Sequence, residues 1–183
     1  MCTMLSGRTV KTLLIPFEEL ASNLTKQPYI RMDKVIKEGE LTTPRYRFFE
    51  AGEPAGTIVP LNMFLDLDDS TDTGVWLDAG EDVEAIEDKL REIPVIALNY
   101  PTFTDGRAYS SASILRRKYG YKGEIRAMGD VRIDQLEQMS RCGFDAYELS
   151  ENQDAEEALD VLLKGFSYTY PATASQPPLF SRR

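Results

Sequence analysis

From residue 75 onward the apolar positions switch between two periods. Val75-Trp76-Leu77 is a short apolar run, after which Val83, Ile86 and Leu90 recur at helical spacing behind the acidic start Glu81-Asp82. Val95-Ile96-Ala97-Leu98 is continuous and lies between Pro94 and Pro101, the pattern of a strand covered on both faces of a parallel sheet. Ala108, Ala112, Leu115 and Tyr119 then form one helical stripe, with Arg116, Arg117 and Lys118 in the last turn and Gly120 as the stop. Residues 124–128 predict a third strand. Asp130 is placed to cap a helix containing Leu136 and Met139, which Gly143 ends, and residues 144–149 predict a fourth strand. The final helix opens at Asp154, three residues before Glu157, and turns Ala155, Ala158, Leu159 and Leu162 inward. This alternation predicts an α/β fold: a parallel sheet of about four successive βα units, either an open doubly wound sheet or half of a (β/α) barrel.

The chain ahead of this repeat is less regular. Residues 46–49 and 57–64 read as strands and 66–72 as an exposed acidic loop, so a small β-rich element is expected there, separate from the repeat. The expected divisions are 1–74 for the β-rich element with its acidic loop, 75–170 for the βα repeat and 171–183 for a tail. That tail is rich in Pro, Ser and Ala with little to bury, and reads as flexible or as a docking arm.

Composition narrows the chemistry. With 183 residues, 42% of them hydrophobic, the chain suffices for one domain with a real core and a smaller N-terminal extension. No apolar stretch approaches the roughly 20 residues that span a bilayer, and residues 1–15 lack a long apolar run followed by a cleavage site. A cytoplasmic protein with no membrane contact is the expectation. The two cysteines, Cys2 and Cys142, lie far apart, and Cys2 sits at a terminus, so no disulfide is expected.

The chain has no histidine, which removes Ser-His and Cys-His nucleophile pairs and His-ligated zinc or haem. Two cysteines fall short of the four thiolates of an iron–sulfur cluster. No metal site and no intrinsic redox centre are expected. Neither G-x-G-x-x-G after a strand nor G-x-x-x-x-G-K-[ST] occurs, so no cofactor is evident; a flavin or nicotinamide held noncovalently stays open. A formal net charge of −9 argues against nucleic acid and fits a basic or neutral protein partner better; self-association is left open.

Several separated motifs carry a resemblance. The run Phe103-Thr104-Asp105-Gly106-Arg107-Ala108-Tyr109-Ser110 is followed by Leu115-Arg116, Tyr119-Gly120-Tyr121 and Gly123-Glu124-Ile125-Arg126-Ala127. After these come Gly129-Asp130-Val131, Asp134-Gln135 and Arg141-Cys142-Gly143-Phe144-Asp145-Ala146. In this order they resemble a bacterial family of unknown function that carries an oxidoreductase label through its association with assimilatory sulfite reduction. The resemblance implies an accessory role in cysteine biosynthesis, acting with sulfite reductase or its reductase component. It implies a pathway and not a mechanism.

In parallel sheets and barrels alike, ligands sit at the carboxyl ends of strands, and residues 99–111 occupy that place. Asp105, Arg107, Tyr109, Ser110 and Ser111 surround a helix N-terminus, where free N–H groups and the macrodipole favour a small oxyanion or a phosphorylated metabolite. The alternative is a plain helix start, with Asp105 as cap, Gly106 as turn and Arg107 paired to a carboxylate. Arg126 and Glu148 are charges inside expected strands, on faces that bring them together as an ion pair lining a site or bracing the sheet. Asp130 is a second candidate at the same rim, or a plain cap. Cys142 reads first as a small buried apolar residue, as most such cysteines are; its alternative is a redox role, in which Arg141 would lower its pKa and a helix C-terminus would raise it.

Overall fold

The computed structural model describes residues 34–49, 54–150, 153–164, 177–178 and 181. All of them belong to one compact unit, residues 31–183. Eight strands among the described residues pair into one sheet: β1 (Val35–Lys37), β2 (Glu40–Thr42), β3 (Arg47–Phe48), β4 (Thr57–Pro60), β5 (Gly74–Leu77), β6 (Val95–Tyr100), β7 (Glu124–Gly129) and β8 (Ala146–Tyr147). Their order is β2-β1-β8-β7-β6-β5-β4-β3, and the sheet curls as a half barrel.

The expected repeat is present and mostly parallel. β5 pairs β6, β6 pairs β7 and β7 pairs β8, all parallel, so the strands at Val95, Ile125 and Ala146 run in one direction. The connections are the 3-10 helix Val83–Lys89, α2 (Arg107–Arg117), and the 3-10 turn Ile133–Gln135 running into α3 (Leu136–Cys142). α4 (Ala155–Lys164) follows β8, and Asp154 Oδ1 accepts the N–H groups of Glu156 and Glu157 at 2.8 and 3.4 Å, as its cap position predicts. β6 is buried along its whole length, which accounts for its unbroken apolar run.

The segment before Gly74 departs from expectation. It does not stand apart: β3 and β4 continue the parallel ladder beyond β5, and the β1–β2 hairpin joins the other edge, where β1 pairs antiparallel with β8. Residues 57–64 are not one strand. β4 ends at Pro60, whose fixed φ of −58° and missing N–H suit a helix start, and α1 (Leu61–Asp66) buries Leu61 and Phe64 three residues apart. The β1–β2 turn is Glu38-Gly39, both at positive φ (54° and 78°), a two-residue turn whose twist matches that of its strands. β8 begins later than residue 144 because Phe144 N–H closes α3 by donating to Met139 O at 3.2 Å. The 171–183 tail and the chain ahead of residue 34, Cys2 included, lie outside the described residues except for 177, 178 and 181.

Strand alternation gives the sheet two unlike faces. Val75, Leu77, Ile96, Leu98, Tyr100, Ile125, Ala127 and Tyr147 face the helices and join the main core with Ala112, Leu115, Leu136 and Met139. Ile58, Val95, Ala97 and Met128 lie on the other face in a smaller cluster with Tyr46, against which Phe48 and Trp76 pack. Arg126 lies on that second face. It is 2% exposed and donates to Glu124 Oε1 from Nε at 2.8 Å and Nη2 at 2.6 Å, and from Nη1 to Tyr46 O at 2.8 Å. Lys37 Nζ takes the other Glu124 oxygen at 2.8 Å. The partner of Arg126 is thus Glu124 on its own strand and not Glu148 across the ladder. Residues two apart on a strand share a face about 7 Å apart, within reach of two long side chains.

No described helix is long and apolar enough to cross a membrane.

Candidate functional site

Two sets of polar interactions occupy opposite ends of the parallel strands. At the amino ends, Arg116 on α2 turns into a nest of carbonyls: Nε donates to Gly143 O at 2.9 Å, and Nη1 to Tyr121 O and Gly123 O at 2.7 and 2.9 Å. Its Nη2 pairs with Asp145, whose Oδ2 also accepts the Ile125 N–H at 3.1 Å. Tyr121 donates its hydroxyl to Ile93 O at 3.0 Å, and a Cβ at Gly123 would meet Pro94 O at 2.8 Å. One guanidinium thereby ties α2, the approach to β7 and the approach to β8 together. This is structural bracing.

The carboxyl ends form the rim. Asn99, 4% exposed near the end of β6, donates Nδ2 to Asp78 Oδ1 at 2.7 Å, just past the end of β5. The Asp78 N–H in turn donates to Glu81 Oε2 at 2.7 Å. Burial raises the Glu81 pKa above its ordinary value; the Asp78 N–H opposes this and the Asp78 charge adds to it.

β7 closes on β6 through Gly129, at φ +108°, where a Cβ would run into the Tyr100 carbonyl and lie 2.9 Å from Asn99 Oδ1. Only glycine fits this close approach. Asp130 follows, its N–H donating to Tyr100 O at 2.8 Å and its Oδ2 accepting the Phe103 N–H at 2.9 Å. Gln135 holds the other side of the same loop, with Nε2 donating to Phe103 O at 3.0 Å and Oε1 accepting the Arg132 N–H at 3.1 Å. Arg132 reaches back to Asp130 at 3.1 and 3.2 Å and lays its guanidinium over the Phe103 ring, 4.6 Å from the centroid. Hydrogen bonding to Arg132, against a smaller burial effect, holds the Asp130 carboxyl below its usual range. Asp130 is therefore a strut between two loops and does not cap the next helix, whose preceding turn starts at Arg132.

The five residues expected around an oxyanion do not converge. Asp105 Oδ1 accepts the Arg107 N–H at 3.1 Å, and the Arg107 side chain folds back onto the same carboxylate, Nε at 3.0 Å and Nη2 at 2.6 Å. These bonds lower the Asp105 pKa and raise that of Arg107. Tyr109 turns inward, its ring edge-on to Tyr100 with centroids 5.4 Å apart. Ser111 Oγ bonds Arg107 O within the helix at 3.5 Å, and Ser110 is exposed. An incoming anion would have to displace Asp105 from Arg107 and approach its negative charge.

Among the remaining candidates, Glu148 is half-buried with its N–H donating to Ala127 O at 2.9 Å. Cys142 is a half-buried free thiol at the end of α3, accepting from Gln138 Nε2 at 3.5 Å. The described residues contain no group of three His, Cys, Asp or Glu side chains able to hold a metal ion. Sequence reasoning passed over Asp78 and Arg132, included Asn99 and Phe103 only as part of the 99–111 loop, and quoted Gln135 without assigning it a role. For Asn99 a signal existed, since an amide at the end of an otherwise apolar strand asks for a partner.

An α/β half barrel with a polar rim at the carboxyl ends of its strands is the class of protein these features define. The family model described as "Bacterial protein of unknown function (DUF934)" matches residues 74–180, from the first residue of β5 and over more than half of the chain. The chain belongs to this family. Neither of the other comparisons, with curated proteins or with solved structures, gives a match.

Proposed function

We propose that this protein is an accessory of assimilatory sulfite reduction in cysteine biosynthesis, working beside sulfite reductase or its electron supply and bringing no redox centre of its own. One observation carries the reading beyond the sequence resemblance. The motif residues divide between the two ends of the sheet: Arg116, Tyr121, Gly123, Gly143 and Asp145 brace the amino ends. Asp130 and Gln135 hold the Phe103 backbone across loops at the carboxyl rim, outside the apolar core. Polar groups joined at that end of a parallel sheet support a working surface. The engagement of Arg107 by Asp105 favours contact with another protein over capture of a small oxyanion.

Growth of a deletion strain on defined sulfur sources tests this. The expected result is a defect on sulfate and on sulfite that sulfide or cysteine relieves, which places the block at sulfite reduction. Growth on sulfate equal to that of the parent would remove the proposal. Restoration by sulfite would move the block upstream and remove it as well.

A further inference from the structure

Resting on the accessory reading, we propose that the Phe103 corner of the rim is the docking surface, and that it fits a basic protein surface with an apolar recess for one aromatic ring. Phe103 is one of few large apolar side chains exposed among the described residues, at 37%. Its loop is held at both backbone polar groups, N–H to Asp130 and carbonyl to Gln135, and the Asp105 N–H closes the turn onto Thr102 O at 3.0 Å. The Arg132 guanidinium covers one side of the ring. An aromatic ring fixed before binding loses little freedom on binding, and aromatic and arginine side chains supply most interface anchors.

Charge selects the kind of partner. The two arginines here, Arg107 and Arg132, are each paired with a carboxylate two residues away, Asp105 and Asp130. Asp78 lies within electrostatic reach of Arg107 and Asp134 within reach of Arg132, Glu81 is bonded to the Asp78 backbone, and the whole chain carries −9. The rim is therefore negative around an aromatic centre. Such a surface attracts a positively charged protein face and repels phosphate backbones and anionic headgroups.

Binding of the full-length protein to purified sulfite reductase holoenzyme, followed by biolayer interferometry from low to high potassium chloride, decides the matter. Wild type should bind, and bind more weakly as salt rises. Phe103→Ala should weaken binding by about tenfold or more, the scale of an interface anchor. Asp134→Lys, an exposed change outside the loop's hydrogen bonds, should slow association and flatten the salt dependence, and it keeps the test valid if Phe103→Ala loosens the loop. Leu163→Ala, at a side chain 70% exposed on α4, should bind as wild type. Thermal melts establish that each variant is folded. No binding by wild type, binding indifferent to salt, or full binding by both Phe103→Ala and Asp134→Lys would overturn the docking surface. The growth assay separates the two claims: a deletion defect restored equally by wild type and Phe103→Ala keeps the accessory reading and discards this surface, and a deletion strain without a defect discards both.

Discussion

The amino ends and the carboxyl ends of the strands use the same side-chain chemistry for opposite purposes. At the amino ends, the guanidinium of Arg116 is only 14% exposed and spends its donors on three backbone carbonyls from two segments and on Asp145. At the carboxyl ends, Arg107 and Arg132 are 62% and 47% exposed, and each pairs with a carboxylate two residues away. A shielded guanidinium stabilises the fold because the carbonyls it serves have lost water. An exposed pair in high dielectric is worth about 0–1 kcal/mol and is free to take another role. The comparison says where substitution should damage the fold and where it should damage only function.

The largest effect is expected on the second face of the sheet, at Glu124→Gln. This change removes the charge that compensates Arg126, which is 2% exposed, and breaking such a pair costs about 3–5 kcal/mol. Burial works against the Glu124 carboxylate, but Arg126 and Lys37 outweigh it and hold its pKa below the ordinary value. A depressed carboxylate contributes stability above its unfolded pKa and loses it as pH falls through the folded value. Urea unfolding from neutral to acid pH should therefore show wild type losing stability below the ordinary carboxylate value of 4.5, with the gap to Glu124→Gln closing there. A variant as stable as wild type at neutral pH would show that Arg126 is satisfied without Glu124.

Arg116→Ala comes next, with an expected loss of about 3 kcal/mol, since bonds from a charged donor contribute about 1.5–3 kcal/mol each and do not add fully. It should also act on Asp145. Burial already raises that carboxyl above its ordinary value, against the Ile125 N–H and Arg116. Without Arg116 its titration, read by NMR of the carboxyl carbon, should move higher still. A raised carboxylate stabilises below its unfolded pKa and loses that contribution as pH rises through the folded value, so the deficit of Arg116→Ala should grow from acid toward neutral pH. Substitution with wild-type stability would return the amino end to the status of surface decoration.

How far the sequence foretold these places depends on whether their determinants are local. β6 and α2 were legible because an unbroken apolar run and a helical stripe are properties of neighbouring residues. The Asp105 and Arg107 pairing was legible as an alternative for the same reason. The β1–β2 hairpin was not, because its turn places Glu38 at φ 54°, a conformation for which glutamate gives no signal. Nor was the helix after Pro60, since residues 57–64 contain enough β-branched and apolar residues to read as a strand. For Arg126 the reading looked across the ladder when the partner stood two residues back on the same strand. The rim was only half visible: Phe103, Asp130 and Gln135 are brought together by the close approach of β6 and β7 at Gly129, which no local pattern records.

The smallest effect is expected at Asp105→Asn, and it tests the rim most directly. Arg107 is 62% exposed although Asp105 is only 14% exposed, and asparagine can keep the bond to the Arg107 N–H, so losing the charge pairing should change stability by no more than about 1 kcal/mol. The consequence for anions should be larger than the consequence for folding. In wild type the carboxylate occupies the guanidinium and the first N–H of α2, and its charge opposes any oxyanion arriving there. Asparagine keeps an oxygen to accept the Arg107 N–H but gives up the charge, leaving a guanidinium beside a helix N-terminus. Melting temperatures at matched ionic strength in chloride and in sulfate should therefore be separated by a wider sulfate-specific gain in Asp105→Asn than in wild type, because a ligand that binds only the folded state stabilises it. Equal gains in the two proteins would mean that Asp105 is not what excludes anions from this rim, and the contrast between a committed amino end and an available carboxyl end would then rest on Phe103 and its loop alone.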